Sequence, residues 1–235
     1  MSSLQFWQNY ISIFPFRLSG AAFARFSHSA FPKLKMDSSC EPAAEVPSKQ
    51  TLLVSKTPET WHITISLYRL FNPKVVYEAV VKSRFPAAFL DPVMLTGNPL
   101  DLQIAARKAV DRAARNTMIT KSLPMEFLVS VSPRTQISDS LRTFGFRPAD
   151  KFVLVVWLHS APSPPQAELD KLLAVMKGNG EEVSLEKLSE LRDMTKIANY
   201  YKFDILGPKP DGKEKAKEWT ELLIDFVTSQ IATKQ

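Results

Sequence analysis

Three histidines, one cysteine and two groups of basic side chains are the residues of this 235-residue chain that could do chemistry. His28, His62 and His159 are far apart in sequence, and none has a second ligand at metal-binding spacing. Cys40 stands alone, which supports neither a disulfide framework nor a cysteine metal site. A Ser-His-Asp triad can be assembled on paper, but no G-x-S-x-G elbow exists to present its serine. The seven glycines form no G-x-G-x-x-G and no G-x-x-x-x-G-K, so no phosphate-cradling loop is announced. His62 and His159 read as structural or surface residues, and Glu181-Glu182 as a solvated helix face. Without a nucleophile, base or metal cluster, the chain reads as a non-enzyme that needs no cofactor and no metal.

Basic and apolar surface remains. Lys108, Arg112 and Arg115 recur at i, i+4 and i+7 on one helix face, with Arg107 beside them. That stripe can hold phosphates, or it can be a solvated face balanced by Asp101 and Asp111. Arg134 and Gln136 stand at a loop-to-helix junction, where side-chain donors and free helix N–H groups could meet a nucleotide. Trp219, Leu222, Leu223 and Phe226 on the last helix are either core packing or a face for another protein. A net charge of +6 favours an acidic partner but falls short of a dedicated nucleic-acid binder. With 45% apolar and 23% charged residues the composition is that of an ordinary globular chain. No apolar run reaches the roughly eighteen residues of a membrane-spanning helix.

These residues need a frame. Trp61, Ile63, Ile65 and Leu67 alternate with His62, Thr64, Ser66 and Tyr68, the pattern of a half-buried strand. Asn72-Pro73 opens a helix with Val76, Val80 and Val81 inward, and Ala88 to Leu90 is a short strand ended by Asp91-Pro92. Asn98 caps the next helix, Pro99 fits its first turn, and Asp101 complements its dipole. Leu102, Ala105, Ala106, Ala109 and Ala113 give that helix a stripe of small residues for close packing. Met125, Phe127, Val129 and Val131 alternate as a strand closed by Ser132-Pro133. Ile137, Leu141 and Phe144 mark the buried side of a short helix that Gly145 ends as a left-handed cap. Phe152 to Leu158, apolar on both faces, is a central strand. Helices follow over Gln166 to Lys177, from a Ser184 cap through Leu191, and from Thr195 through Tyr201. After turns at Gly207-Pro208 and Asp211-Gly212 comes the last helix. The sum is one α/β domain with a mixed sheet of roughly four or five strands, flanked by helices and followed by a helical C-terminal portion.

Residues 1–35 carry Arg17, Arg25, Lys33 and Lys35 and no acidic residue, the composition of an organelle transit peptide. Met36, which opens a polar stretch, is an alternative start. Residues 1–55 are expected to be a poorly ordered leader and residues 56–235 the folded domain. A single cysteine fits a reducing, intracellular setting, cytoplasm and nucleus, with mitochondrion or plastid as the alternative that residues 1–35 raise.

Three stretches resemble a known family. L-D-P before L-D-L-Q-I-A-A-R-K-A-V, then E-F-L-V-S-V-S-P-R-T-Q-I-S-D-S-L-R-T-F-G-F, then V-S-L-E-K-L-S-E-L are similar to the kinase-binding subunit of the KEOPS (EKC) complex, the PRPK-binding protein family. The similarity spans about residues 60–235 and leaves the leader outside. It implies a non-catalytic α/β subunit that binds and regulates a small atypical, p53-related-type protein kinase. Through the kinase it would meet an ASKHA-type ATPase that performs the chemistry, threonylcarbamoylation of adenosine 37 of tRNA. It also implies help in recruiting tRNA, by the 3′ CCA end, and no membrane. Taken together with the residues singled out above, the candidate tRNA contacts are Gln103, Arg107, Lys108, Arg112, Arg115, Arg134 and Gln136, and the candidate kinase contacts Trp219, Leu222, Leu223 and Phe226. The family's R-Q-I triplet is here spread over Arg134, Thr135, Gln136 and Ile137. Outside that resemblance the alternative is an organelle-imported RNA-associated protein or small-molecule enzyme.

Overall fold

The computed structural model describes residues 49–55, 60–134, 136–203 and 212–234. The core is a five-stranded sheet built on the long strand β2 (Trp61–Leu70) and the apolar strand β4 (Phe152–His159), which run antiparallel from His62↔His159 to Arg69↔Phe152. On β4's other side lies β3 (Ala87–Leu90). The outer edge of β2 is shared: β1 (Lys49–Ser55) covers its first half and β5 (Gly180–Val183) its second. Each described pairing is antiparallel, so the sheet is not the mixed one expected, although the α/β class holds. β1 also shortens the expected leader, because Lys49–Ser55 belongs to the sheet.

β2 is buried on both faces. Ile63, Ile65 and Leu67 point into the larger core, while Tyr68 enters a second core with Val153, Val155 and Trp157. Thr64 and Ser66, expected to face solvent, are buried with 6% and 2% exposure. Helices cover both sides. α1 (Pro73–Ser83) contributes Val76, and α5 (Gln166–Met176) contributes Leu172 and Met176, to the second core. The larger core takes α2 (Pro99–Ala114), α3 (Leu123–Val131), α4 (Ile137–Phe144), α7 (Met194–Tyr201) and α8 (Lys213–Thr233), with the short α6 (Leu188–Leu191) beside it.

The local signals around α2 work as the chemistry of caps requires. Asn98 Oδ1 accepts from Leu100 N at 3.1 Å with Pro99 at the first turn. Ala105, Ala106 and Ala109 are fully buried, which brings the α2 backbone close to its neighbours.

Several local expectations are corrected. Residues 123–131 form helix α3, not a strand: Pro124 sits in its first turn, and Glu126 through Val131 are all buried, which erases any helical periodicity. Gly145 has φ −73, so it is not a left-handed cap; glycine is needed because a Cβ there would strike the Leu141 carbonyl. Glu181 and Glu182 lie on strand β5 opposite Arg69 and Tyr68, not on a helix. Val81 is 58% exposed and Ile137 is also exposed, so neither belongs to a buried stripe. Asp193, not Thr195, caps α7, accepting from Lys196 N at 3.0 Å. The turn at Gly207-Pro208 and residue Thr135 lie outside the described residues.

Candidate nucleic-acid and partner interface

The basic stripe of α2 is tied into the fold one residue at a time. Arg112 Nη1 meets Glu126 of α3 at 3.0 Å, and the Glu126 side chain has no exposed surface. That carboxylate also accepts from the backbone N–H groups of Ile119 and Thr120, at 3.0 and 2.9 Å, and from the Thr120 hydroxyl at 2.8 Å. One buried acid thus pins the whole α2–α3 connection. Arg107 forms a two-bond contact from Nε to both oxygens of Asp111 one turn on, each at 2.9 Å. Gln103 turns to β1 and donates to the Leu53 carbonyl at 3.1 Å. Arg115 is exposed where α2 ends.

Lys108 reaches the C-terminal end of α8, donating to the carbonyls of Ile231 and Lys234. A cation there complements unpaired helix carbonyls and the negative end of the dipole. Lys234 repeats the arrangement on α3: its ammonium donates to Val129 O (2.9 Å), Ser132 O (2.7 Å) and Arg134 O (2.5 Å). Burial pushes the Lys234 pKa down to about 8, with the charges of Arg112 and Lys108 acting the same way and Glu126 opposing. Burial also lowers the Lys108 pKa, helped by Arg112.

Arg134 lies on the segment that Lys234 holds. Its guanidinium carbon is 4.7 Å from the centroid of the Tyr200 ring, and Nη1 contacts Asp139 at 3.1 Å. The Asp139 carboxylate also receives Arg142 Nη2 at 2.6 Å and the Tyr200 hydroxyl at 3.0 Å. Burial would raise the Asp139 pKa, but the bonds from Arg142 and Tyr200 and the charges of Arg134 and Arg142 prevail and lower it. Arg134 and Arg142 remain 47% and 78% exposed. The outcome is a cationic surface whose guanidinium planes are set by one acid and one tyrosine, a geometry suited to stacking on a base or to forking on a phosphate. Gln136 is exposed at the start of α4, and its side chain does not cap the helix.

The structure therefore links Lys108 to Arg134 through Lys234, with the charge of Arg112 acting on both lysines, and adds Arg142. Gln103 and Arg107 sit farther along α2, and Arg115 at its end. Lys234 was missed because no local pattern links a residue near the chain terminus to a helix end about 100 residues away. Arg142 had a readable signal, its position three residues after Asp139 on a short helix.

On α8, Trp219 and Leu223 point inward, with 3% and 0% exposure, and Trp219 packs edge-on against Phe203 at 5.7 Å. Phe226 is half-buried against the same ring at 5.2 Å, while Leu222 is 42% exposed. Burial removes Trp219 and Leu223 from any surface a partner could reach, leaving Leu222 and part of Phe226.

His62 and His159 face each other across β2 and β4, their rings stacked at 5.8 Å. His159 Nδ1 lies 2.7 Å from the Ala161 carbonyl, so it carries the proton, and Nε2 accepts from the Thr64 hydroxyl at 2.9 Å. Burial, with His62 nearby, lowers the His159 pKa against the opposing Ala161 bond. Among the described residues there is no group of three or more His, Cys, Asp or Glu side chains that could hold a metal ion.

A family model, described as kinase binding protein CGI-121, matches residues 68–235. The chain is 28% identical over 170 residues to the EKC/KEOPS complex subunit cgi121 of Aspergillus fumigatus, an alignment covering 71% of this chain and 89% of that one. It is 26% identical over 131 residues to the EKC/KEOPS complex subunit TPRKB of Danio rerio, covering 56% and 72%. Against the EKC/KEOPS complex subunit cgi121 of Schizosaccharomyces pombe it is 28% identical over 149 residues, covering 63% and 84%. The match takes in everything from the end of β2 to the end of α8, including each basic residue of the surface described above, and the chain belongs to the CGI-121 family of kinase-binding proteins.

Proposed function

We propose that this chain is the non-catalytic, kinase-binding subunit of an EKC/KEOPS-type complex. The observation that carries the reading is the family match over residues 68–235, which spans the helical layers and most of the sheet. The partner is a small atypical protein kinase, and through it the chain meets the complex's ATPase subunit. Capture of such a kinase by the full-length chain tests this. A stoichiometric complex at micromolar concentration is expected, and no complex at that concentration would sink the proposal.

The same reading assigns tRNA to the cationic surface around Arg134, with the chemistry at adenosine 37 left to the partners. It is supported by the exposure of Arg134 and Arg142, whereas Arg112 is half-buried and anchored on Glu126. Arg134→Ala and Arg142→Ala are each expected to weaken tRNA binding. Each should also reduce the slope of log K against log salt by about 0.7 for every single-strand phosphate that is no longer neutralised. A salt dependence unchanged in both variants would return these residues to the solvated-face reading. Arg112→Ala is the wrong variant for this purpose, because it also breaks the ion pair with Glu126.

A further inference from the structure

Beneath the first turn of α2 lies a cavity of about 350 Å³ between that helix, α6, α8 and the inner face of the sheet. Its walls are mainly aliphatic, with Ile65, Leu95, Leu102, Leu188, Val227 and Ile231 among them. A dry apolar cavity of about 150 Å³ is enough to take up benzene. This pocket is more than twice that size and opens to solvent past the exposed Gly97, Pro99 and Glu186, so an organic molecule has both room and a way in. Apolar walls also give water few partners.

The polar groups say what kind. Among the described residues, Asp101 and Glu186 are the only charged ones lining the cavity, and both are acidic in a chain of net charge +6. Glu186 is exposed, whereas Asp101 is 4% exposed. Asp101 accepts from the hydroxyls of Thr96 and Thr228, one on each oxygen, and among the described residues no cation pairs with it. A carboxylate has about four lone-pair sites, so these two bonds leave acceptor capacity on a buried charge. Burial raises the Asp101 pKa against those hydroxyl bonds, and Asp225 nearby adds to the rise. A buried carboxylate without a counter-ion is costly, and a cation brought to it recovers part of that cost. The Tyr201 hydroxyl, also on the wall, is already engaged by the Val131 carbonyl at 2.8 Å, so Asp101 is the strongest polar group open to a ligand.

We propose that this cavity binds a small apolar molecule bearing one primary ammonium group, its body against the aliphatic walls and its head on Asp101. The inference stands independently of kinase or tRNA binding. Calorimetric titration of the full chain with 3-phenylpropylamine and with its neutral counterpart 3-phenylpropanol tests it. Saturable binding of the amine, at least tenfold tighter than the alcohol, is expected. Asp101→Asn should remove that preference while leaving alcohol binding in place. Leu188→Trp, which fills the space from its rim, should abolish binding of both. Equal affinity for amine and alcohol would overturn the role of Asp101. No saturable binding below millimolar concentration, or amine binding unchanged in Leu188→Trp, would overturn the site itself. Because Leu188 is only half-buried, that variant keeps the test decisive even where Asp101→Asn does not fold.

Discussion

Replacing Glu126 by Ala is expected to cost the protein about 3 kcal/mol of stability. The melting temperature should fall by about 6–12 °C, at the slope typical of a domain of this size. The carboxylate it removes has no exposed surface and holds Arg112, two backbone N–H groups and the Thr120 hydroxyl. Without it the guanidinium of Arg112, whose side chain is 20% exposed, loses its counter-charge, and the N–H groups of Ile119 and Thr120 must find water. Glu126→Gln keeps the shape and some acceptor capacity and should lose less. Arg112→Ala should also destabilise, and the double variant should fall short of the sum, since both residues act in one network. Urea titration of the parent and the four variants measures this. A loss under about 0.5 kcal/mol in Glu126→Ala would show that the network adds nothing to stability. The result bears on function too, because it decides whether a weakened RNA-binding phenotype at Arg112 reports a direct RNA contact or a loosened helix connection.

What could be read from the sequence divides along physical lines. The start of α2 was legible because a cap is a local device: Asn98, Pro99 and Leu100 settle it among themselves. The strand Phe152–His159 was legible because burial on both faces leaves an unbroken apolar run. The same burial misled at α3. A nine-residue segment enclosed on nearly all sides shows no 3.6-residue period, and its alternating Met125, Phe127, Val129 and Val131 then imitate a strand. Pro124 after Ser122 was the helix signal to weigh. Thr64 and Ser66 misled in the opposite sense, since short polar side chains are buried cheaply when they find partners, as Thr64 does with Thr51 and His159. At the candidate site, the basic spacing of α2 grouped Lys108, Arg112 and Arg115 on one helix face and said nothing of their relation to Arg134. Their bonds to Ile231, Lys234 and Glu126 depend on tertiary contacts that no spacing encodes.

The outer face of α8 supplies the sharpest separation between packing and partnership. Trp219 and Leu222 lie three residues apart on one helix, yet one is a core residue and the other is exposed. Trp219→Ala is expected to cost about 3–5 kcal/mol, the usual range for emptying an aromatic core position, and to loosen the packing around Phe203. Any loss of kinase capture in that variant would follow from impaired folding. Leu222→Asp should change stability by no more than about 0.5 kcal/mol, because the side chain already stands in solvent. If α8 is part of the kinase interface, a charge at that position should nonetheless weaken capture at least tenfold. It would place an unpaired carboxylate against an apolar patch that Phe226 extends one turn further along. Stability by urea titration and capture of the kinase, measured on both variants, separate the outcomes. A folded Leu222→Asp protein that binds the kinase as well as the parent does would remove α8 from the interface. A Trp219→Ala protein of parental stability would contradict the buried position of the indole.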